Sequence, residues 1–268
     1  YSNDMHVERR GDPPVPLMRG EAIIEQPVDQ SIITKRYTEE VVQFMRQHRE
    51  RPFFIYLPHT MPHVPLYVSD AFSGQSKAGL YGDVIEEMDW STGVILDTIK
   101  ELGLDENTLV IFTSDNGPWL HYREHGGSAG PLREGKGTTF EGGLRVPCVM
   151  RWPGVIEAGR VEHGVACTLD FLPTFARLAG GAPPQDRPID GLDIGPVLRG
   201  AGKRAHEDFH YFHQGQHQAM RSGPWKLKRP FKGMAYAKPI EHATLLFNLE
   251  DDPGEAGNLF DTHPENAA

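Results

Sequence analysis

Cysteine is scarce in this chain. Cys148 and Cys167 are the only two in 268 residues, too few for a disulfide scaffold or a cysteine-rich zinc site. Both lie in apolar sequence, so each is expected to be a buried free thiol. No apolar run approaches the ~20 residues that cross a bilayer. Positive charge is in deficit: 27 Lys and Arg stand against 37 Asp and Glu, a net charge of -10. That balance argues against a nucleic-acid footprint, but it leaves room for an anionic substrate, because a site's local charge can oppose the global sign. Internal repeats and low-complexity segments are absent. So is a signal peptide, but the chain starts at Tyr1 rather than Met, and a missing leader then says nothing about destination. The length suits one large domain or one and a half.

Residues 1–33 read as irregular, or as the end of a small sheet, with Pro13, Pro14 and Pro16 blocking regular structure. Residues 34–48 predict a helix with Tyr37, Val41, Phe44, Met45 and His48 on one face. The apolar run 53–57 predicts a strand, and strand followed by helix is the parallel α/β signal. Residues 84–102 predict the clearest helix, with Ile85, Met88, Thr92, Ile95, Leu96, Ile99 and Leu102 in register and Gly103 as its stop. Strands are expected at 109–113 and 146–150, and a short helix at 169–179. Beyond residue 200, runs at 209–213, 218–221, 225–228 and 245–249 predict short strands, with a tight turn at Ser222-Gly223-Pro224. The fold class is therefore α/β followed by a small antiparallel sheet. The expected division is 1–200 for the α/β part and 201–268 for the β subdomain.

Two stretches carry most of the chemistry. Ser114-Asp115-Asn116-Gly117-Pro118 follows an apolar strand, where ligands of open α/β sheets bind. A carboxylate and an amide oxygen there suit Ca²⁺ or Mg²⁺, although Asp-Asn-Gly is also an ordinary turn. In Gly135-Lys136-Gly137-Thr138-Thr139-Phe140-Glu141-Gly142-Gly143 a lone Lys stands among glycines. It could hold a sulfate or phosphate oxygen or simply be solvated. The run from Gly130 to Lys136 resembles the start of a P-loop, but Gly137 replaces the required hydroxyl. In Pro58-His59-Thr60-Met61-Pro62-His63 the prolines rule out a helical zinc pair. His63 is left as a loop residue able to donate to an anion or protonate a leaving group. His121-Tyr122-Arg123-Glu124-His125 matches an inverted zinc-peptidase motif, but Pro118 before it and Gly126-Gly127 after it deny the helix that motif needs. A substrate-pocket or surface role suits His125 better.

The order and spacing of these blocks, together with 52–65, Gly143-Leu144-Arg145-Val146-Pro147, 169–178 and the tail Asp252-Pro253-Gly254-Glu255, resemble the type I sulfatases of the arylsulfatase kind, from about 34 to 259. The resemblance implies an alkaline-phosphatase-like sandwich with a central mixed or parallel sheet. It implies hydrolysis of a small-molecule or glycan sulfate ester. It places Asp115 and Asn116 among the ligands of Ca²⁺, with Mg²⁺ possible, His63 and Lys136 on the sulfate group as catalytic and binding residues, and His125 in the substrate pocket. It suggests a secreted, periplasmic or lysosomal setting. The family's nucleophile is a formylglycine made from a Cys-x-Pro-x-Arg or Ser-x-Pro-x-Arg motif. Neither Cys148-Val149-Met150-Arg151 nor Cys167-Thr168-Leu169-Asp170 fits it. The formylglycine and the remaining metal carboxylates are therefore expected in an N-terminal segment outside this chain, which alone is expected to be inactive. A phosphate or phosphonate ester hydrolase of the same superfamily, or a non-catalytic binding fragment, stand as alternatives.

Overall fold

The computed structural model describes residues 2–3, 13–202, 205–231 and 243–267. The chain forms two compact units, Tyr1–Thr108 with His121–Gly127, and Leu109–Leu120 with Ser128–Ala268.

In the first unit, strands β1 (Ser2–Asn3), β2 (Leu17–Arg19) and β3 (Ala22–Glu25) form an antiparallel sheet. Helix α1 (Ile33–His48) follows, then α2 (Gly79–Glu101). Val15, Leu17, Val28, Ile33 and Tyr37 make one core, with Leu57 packed against it. Helix α1 keeps its expected limits to within one residue, and α2 ends as expected but begins five residues before the expected start at Val84. The face that α2 buries is displaced from the expected one. Asp83, Val84, Glu87, Met88, Ser91, Thr98 and Ile99 are buried, whereas Ile85 is exposed. The polar members of this stripe are placed by partners: Asp83 accepts from the backbone N–H groups of Gly74 and Ser76, and Ser91 shares a 2.6 Å hydrogen bond with Thr38 of α1. Small hydroxyl residues let the two helices approach while satisfying each other, so the buried stripe need not be apolar.

The strand expected at 53–57 does not form among the described residues. Exposure alternates along the segment, but no ladder pairs it, and Phe54 and Tyr56 are 69% and 79% exposed. A strand exists only through a neighbour's hydrogen bonds, and an apolar run cannot specify that neighbour.

In the second unit, β4 (Val110–Thr113) pairs with β5 (Cys148–Arg151). Between them lies the one-turn helix α3 (Glu141–Leu144), and beyond them α4 (Phe171–Leu178) and α5 (Gly195–Leu198). Strands β6 (Asp208–His213), β7 (Gln216–Ser222), β8 (Trp225–Lys228) and β9 (Leu245–Asn248) form the C-terminal sheet in sequence order. The turn expected at Ser222-Gly223-Pro224 joins β7 to β8, with Gly223 at φ 54°. Every ladder among the described residues is antiparallel, β4 with β5 included. Cys148 is exposed on β5 and Cys167 half-buried, so the expectation of two buried thiols is corrected. Apolar neighbours in sequence do not bury a strand residue whose face lacks a covering layer.

His59 lies half-buried beside Tyr37, with ring centroids 6.4 Å apart, and among the described residues its Nδ1 has no hydrogen-bond partner. Burial pushes its pKa from 6.5 down to about 4. The unfolded ring therefore takes up a proton at a higher pH than the folded one. Stability should be intact above pH ~6.5 and fall as pH drops toward about 4, by up to about 3 kcal/mol. Thermal melts across that window should show a weaker acid loss for His59→Phe than for the parent chain. Equal pH slopes would overturn this account.

Candidate functional site

The turn after β4 and the glycine-rich loop before β5 are stapled together by backbone. Gly117 N–H donates to Gly143 O at 3.0 Å, and Lys136 N–H to Pro118 O at 2.9 Å. This approach requires glycine. A Cβ on Gly117 would sit 1.8 Å from Gly142 O, and one on Gly135 would sit 2.3 Å from Pro118 O, both impossible contacts. The sequence Asp-Asn-Gly-Pro is thus more than a surface turn. Its glycine admits the second loop, and the two motifs become one knot carrying Asp115, Asn116 and Lys136.

Within the knot, Ser114 Oγ donates to Asn116 O at 3.0 Å and sets the turn. Asp115 is exposed and Asn116 half-buried. Among the described residues neither side chain is committed to a hydrogen bond, so a carboxylate and an amide oxygen are available together. That donor set fits a hard divalent cation and supplies two of the 6–8 oxygens calcium takes. Lys136 is half-buried. Its ammonium lies 5.0 Å from the centroid of the Trp119 ring, and no carboxylate pairs with it among the described residues. The chain thus holds an uncommitted cation on a fixed backbone.

The rest of the loop is gripped from the C-terminal sheet. Lys226 and Lys228 on β8 are fully buried, against the alternation that would turn Trp225 and Leu227 inward. Lys226 Nζ lies 2.8 Å from Glu141 Oε1 and 2.9 Å from Glu255 Oε1, and 4.4 Å from the Tyr211 ring centroid. Glu255 also accepts from the Glu141 backbone N–H, and its carbonyl from Arg133. Lys228 donates to Thr139 Oγ1, which donates to Gln218. Burial first, then the neighbouring Lys226, pushes the Lys228 pKa down to about 7. Burial drives Tyr211 upward, with the Glu141 charge second, so Tyr211 stays a neutral phenol. Sequence reasoning missed this cluster. The one available signal was a pair of lysines in a strand whose flanks are apolar, and nothing local named the acids at 141 and 255 as partners.

His63 and His125 belong to the first unit, and Asp115, Asn116 and Lys136 to the second. The His63 ring is oriented by Nδ1–H donating to Val64 O at 2.7 Å. His125 is exposed at the end of a 3-10 segment, Leu120–His125, that kinks at Arg123 with φ 49° and ψ -120°. The helix an inverted zinc-peptidase motif needs is not formed. Position 137 being Gly, and the segment before Gly130 being loop, likewise removes the P-loop reading.

The buried charges make unequal demands. Lys226→Met should leave the Glu141 and Glu255 carboxylates together without their cation and cost about 3–5 kcal/mol. Lys228→Met should cost about 1 kcal/mol or less. It places an apolar chain against Phe140 and Phe231, and Thr139 keeps its bond to Gln218. Urea unfolding of the two variants measures both, and equal costs would refute the division of labour.

Residues 9–182 match the family model described as Sulfatase, and residues 135–267 match N-sulphoglucosamine sulphohydrolase, C-terminal. Steryl-sulfatase of Homo sapiens is 43% identical over 204 residues, covering 73% of this chain and 35% of its own length. Arylsulfatase A of Homo sapiens is 38% identical over 266 residues, covering 92% of this chain and 52% of its own. The solved structure of PsFucS1 sulfatase from Pseudoalteromonas sp. matches with a TM-score of 0.79 at 30% identity, over 88% of this chain and 51% of that one. The chain spans about half the length of these relatives, or less. Its α/β architecture with a small C-terminal antiparallel sheet is the alkaline-phosphatase-like fold they share, and with a family model spanning most of its length the chain belongs to the sulfatase family.

Proposed function

We propose that this chain supplies the metal-binding and anion-binding part of a sulfuric ester hydrolase. The observation that carries the reading is the glycine-dependent staple, which fixes a carboxylate, an amide oxygen and an unpaired ammonium on one rigid knot. Asp115 and Asn116 would hold Ca²⁺, or Mg²⁺, with further oxygens from elsewhere. When bound, such a cation supplies Lewis-acid neutralisation of sulfate oxygens. Lys136 would bind a sulfate oxygen and stabilise the charge that grows on it in the transition state. His63, its ring held by Val64 O, would bind a sulfate oxygen or assist the leaving group. His125, exposed at its kinked segment, would contact substrate. His59 suits the anion poorly: burial keeps its ring neutral at ordinary pH. The substrate class is a small-molecule or glycan sulfate ester, and the nucleophile would be a formylglycine from sequence outside residues 1–268.

Calorimetry tests the metal assignment: Asp115→Ala should bind Ca²⁺ more weakly than the parent chain, and an unchanged affinity would sink it. In a protein carrying this chain together with a formylglycine, Lys136→Ala and His63→Ala should each lower kcat/KM for an aryl sulfate by about 10²–10³-fold. His59→Ala should cost less than His63→Ala, and the reverse order would move the anion to the other histidine.

A further inference from the structure

Away from the knot, a second group of ligand-type side chains converges. The antiparallel bridge between Val165 and His206 brings the start of β6's leading segment beside 165–170. There Cys167, Asp170 and His206 place one donor atom each within 4.8 Å of one another. His206 Nε2 lies 2.8 Å from Asp170 Oδ1 and 3.9 Å from Cys167 Sγ. Asp170 is fully buried, His206 nearly so at 11% side-chain exposure, and Cys167 half-buried.

The geometry separates two readings of a Cys, His and Asp together. In a nucleophilic triad the acid holds one ring nitrogen and the thiol faces the other. Here both face Nε2, so no relay through the ring is possible. Three donors converging on one point instead describe a coordination site. Zinc bonds of about 2.3 Å to sulfur and about 2.0–2.2 Å to nitrogen and oxygen set tetrahedral S···N and N···O separations near 3.5 and 3.4 Å, each about half an ångström from those present. The donors are already oriented from behind. Asp170 Oδ2 accepts from Cys167 N–H and Oδ1 from Leu192 N–H, both at 2.8 Å. Cys167 Sγ accepts from the Asp170 N–H in a reciprocal cap. Such outer bonds fix ligand orientation and support a thiolate.

We propose that Cys167, Asp170 and His206 form a site for a borderline-soft divalent cation of the zinc type, with its fourth position open to water beside the half-buried thiol. The sulfur and imidazole donors select against Ca²⁺ and Mg²⁺, so this site is independent of the one assigned to Asp115 and Asn116 and of the sulfatase reading. Binding is ligand exchange without redox change. The thiol proton leaves to solvent, and the imidazole proton passes from Nε2 to Nδ1 so that Nε2 can ligate. Asp170 Oδ1 exchanges the His206 N–H for the metal.

Cobalt is the probe, because a thiolate ligand gives Co²⁺ a charge-transfer absorption that oxygen and nitrogen donors do not. The chelator-stripped chain should gain this band with one equivalent of Co²⁺ and lose it to Zn²⁺. Cys167→Ser should abolish the band and Cys148→Ser should leave it intact. His206→Gln should weaken binding by at least about tenfold. An alkylation experiment on the unmutated chain covers the case of a variant that misfolds: Zn²⁺, but not Ca²⁺, should protect Cys167 from iodoacetamide while exposed Cys148 reacts throughout. Absence of the thiolate band, its survival in Cys167→Ser, or alkylation of Cys167 indifferent to zinc would each overturn the assignment.

Discussion

The backbone contact between Gly117 and the 142–143 carbonyl region is the constraint on which the candidate site depends. Two loops separated by a score of residues come so close that no side chain fits between them at that point. Proximity of backbone, rather than any side-chain bond, sets Lys136 beside the Asp115-Asn116 turn. Loops are ordinarily mobile and tolerant. This pair behaves as a single rigid object because its amides are spent on each other, leaving the charged side chains free of structural duty. Rigid placement of charge is what electrostatic catalysis requires, since donors that need no reorganisation act at full strength.

The support beneath the knot is built on a different principle. Lys226, Glu141 and Glu255 form a buried cluster with two carboxylates about one ammonium, Lys228 adjoining, and aromatic faces of Tyr211 and Phe140 over the cations. Burial raises Glu255 while Lys226 lowers it, the opposition expected when a desolvated acid meets a close cation. Such an arrangement tolerates little change, because removing one charge strands another. It also gives the loop one register: a shifted chain would leave buried charge unpaired.

How much of this was legible in the sequence divides along physical lines. Helices α1 and α2 and strands β6 to β9 declared themselves through periodicity and turn residues, which are local properties. The knot was legible in part: a carboxylate at a strand end and a lysine among glycines signal ligand chemistry, and the order of the blocks signals the family. What the glycines at 117 and 135 are for became visible only in three dimensions. The apolar segment at 53–57 misled, because an apolar run states a preference for β structure and is silent on a neighbour. Lys226 and Lys228 were not legible as a buried pair for a related reason. Alternation assigns faces by polarity, and it fails where the buried face is itself ionic. The polar stripe of α2, with Ser91 against Thr38, fails the same rule on a helix.

The distance in sequence between the partners of the buried cluster has a temporal consequence. Glu141 receives its support from Glu255, 114 positions later. A ribosome delivers residues in order, so for the whole of that interval the glycine-rich loop exists without its foundation. Contacts of such separation form late, after loop closure has been overcome. The part of the chain that carries Lys136 is therefore among the last to be locked, and a nascent chain stopped short of the Asp252-Pro253-Gly254-Glu255 tail exposes lysines meant for the interior. Synthesis of this protein carries its own window of vulnerability, one that closes when the tail arrives.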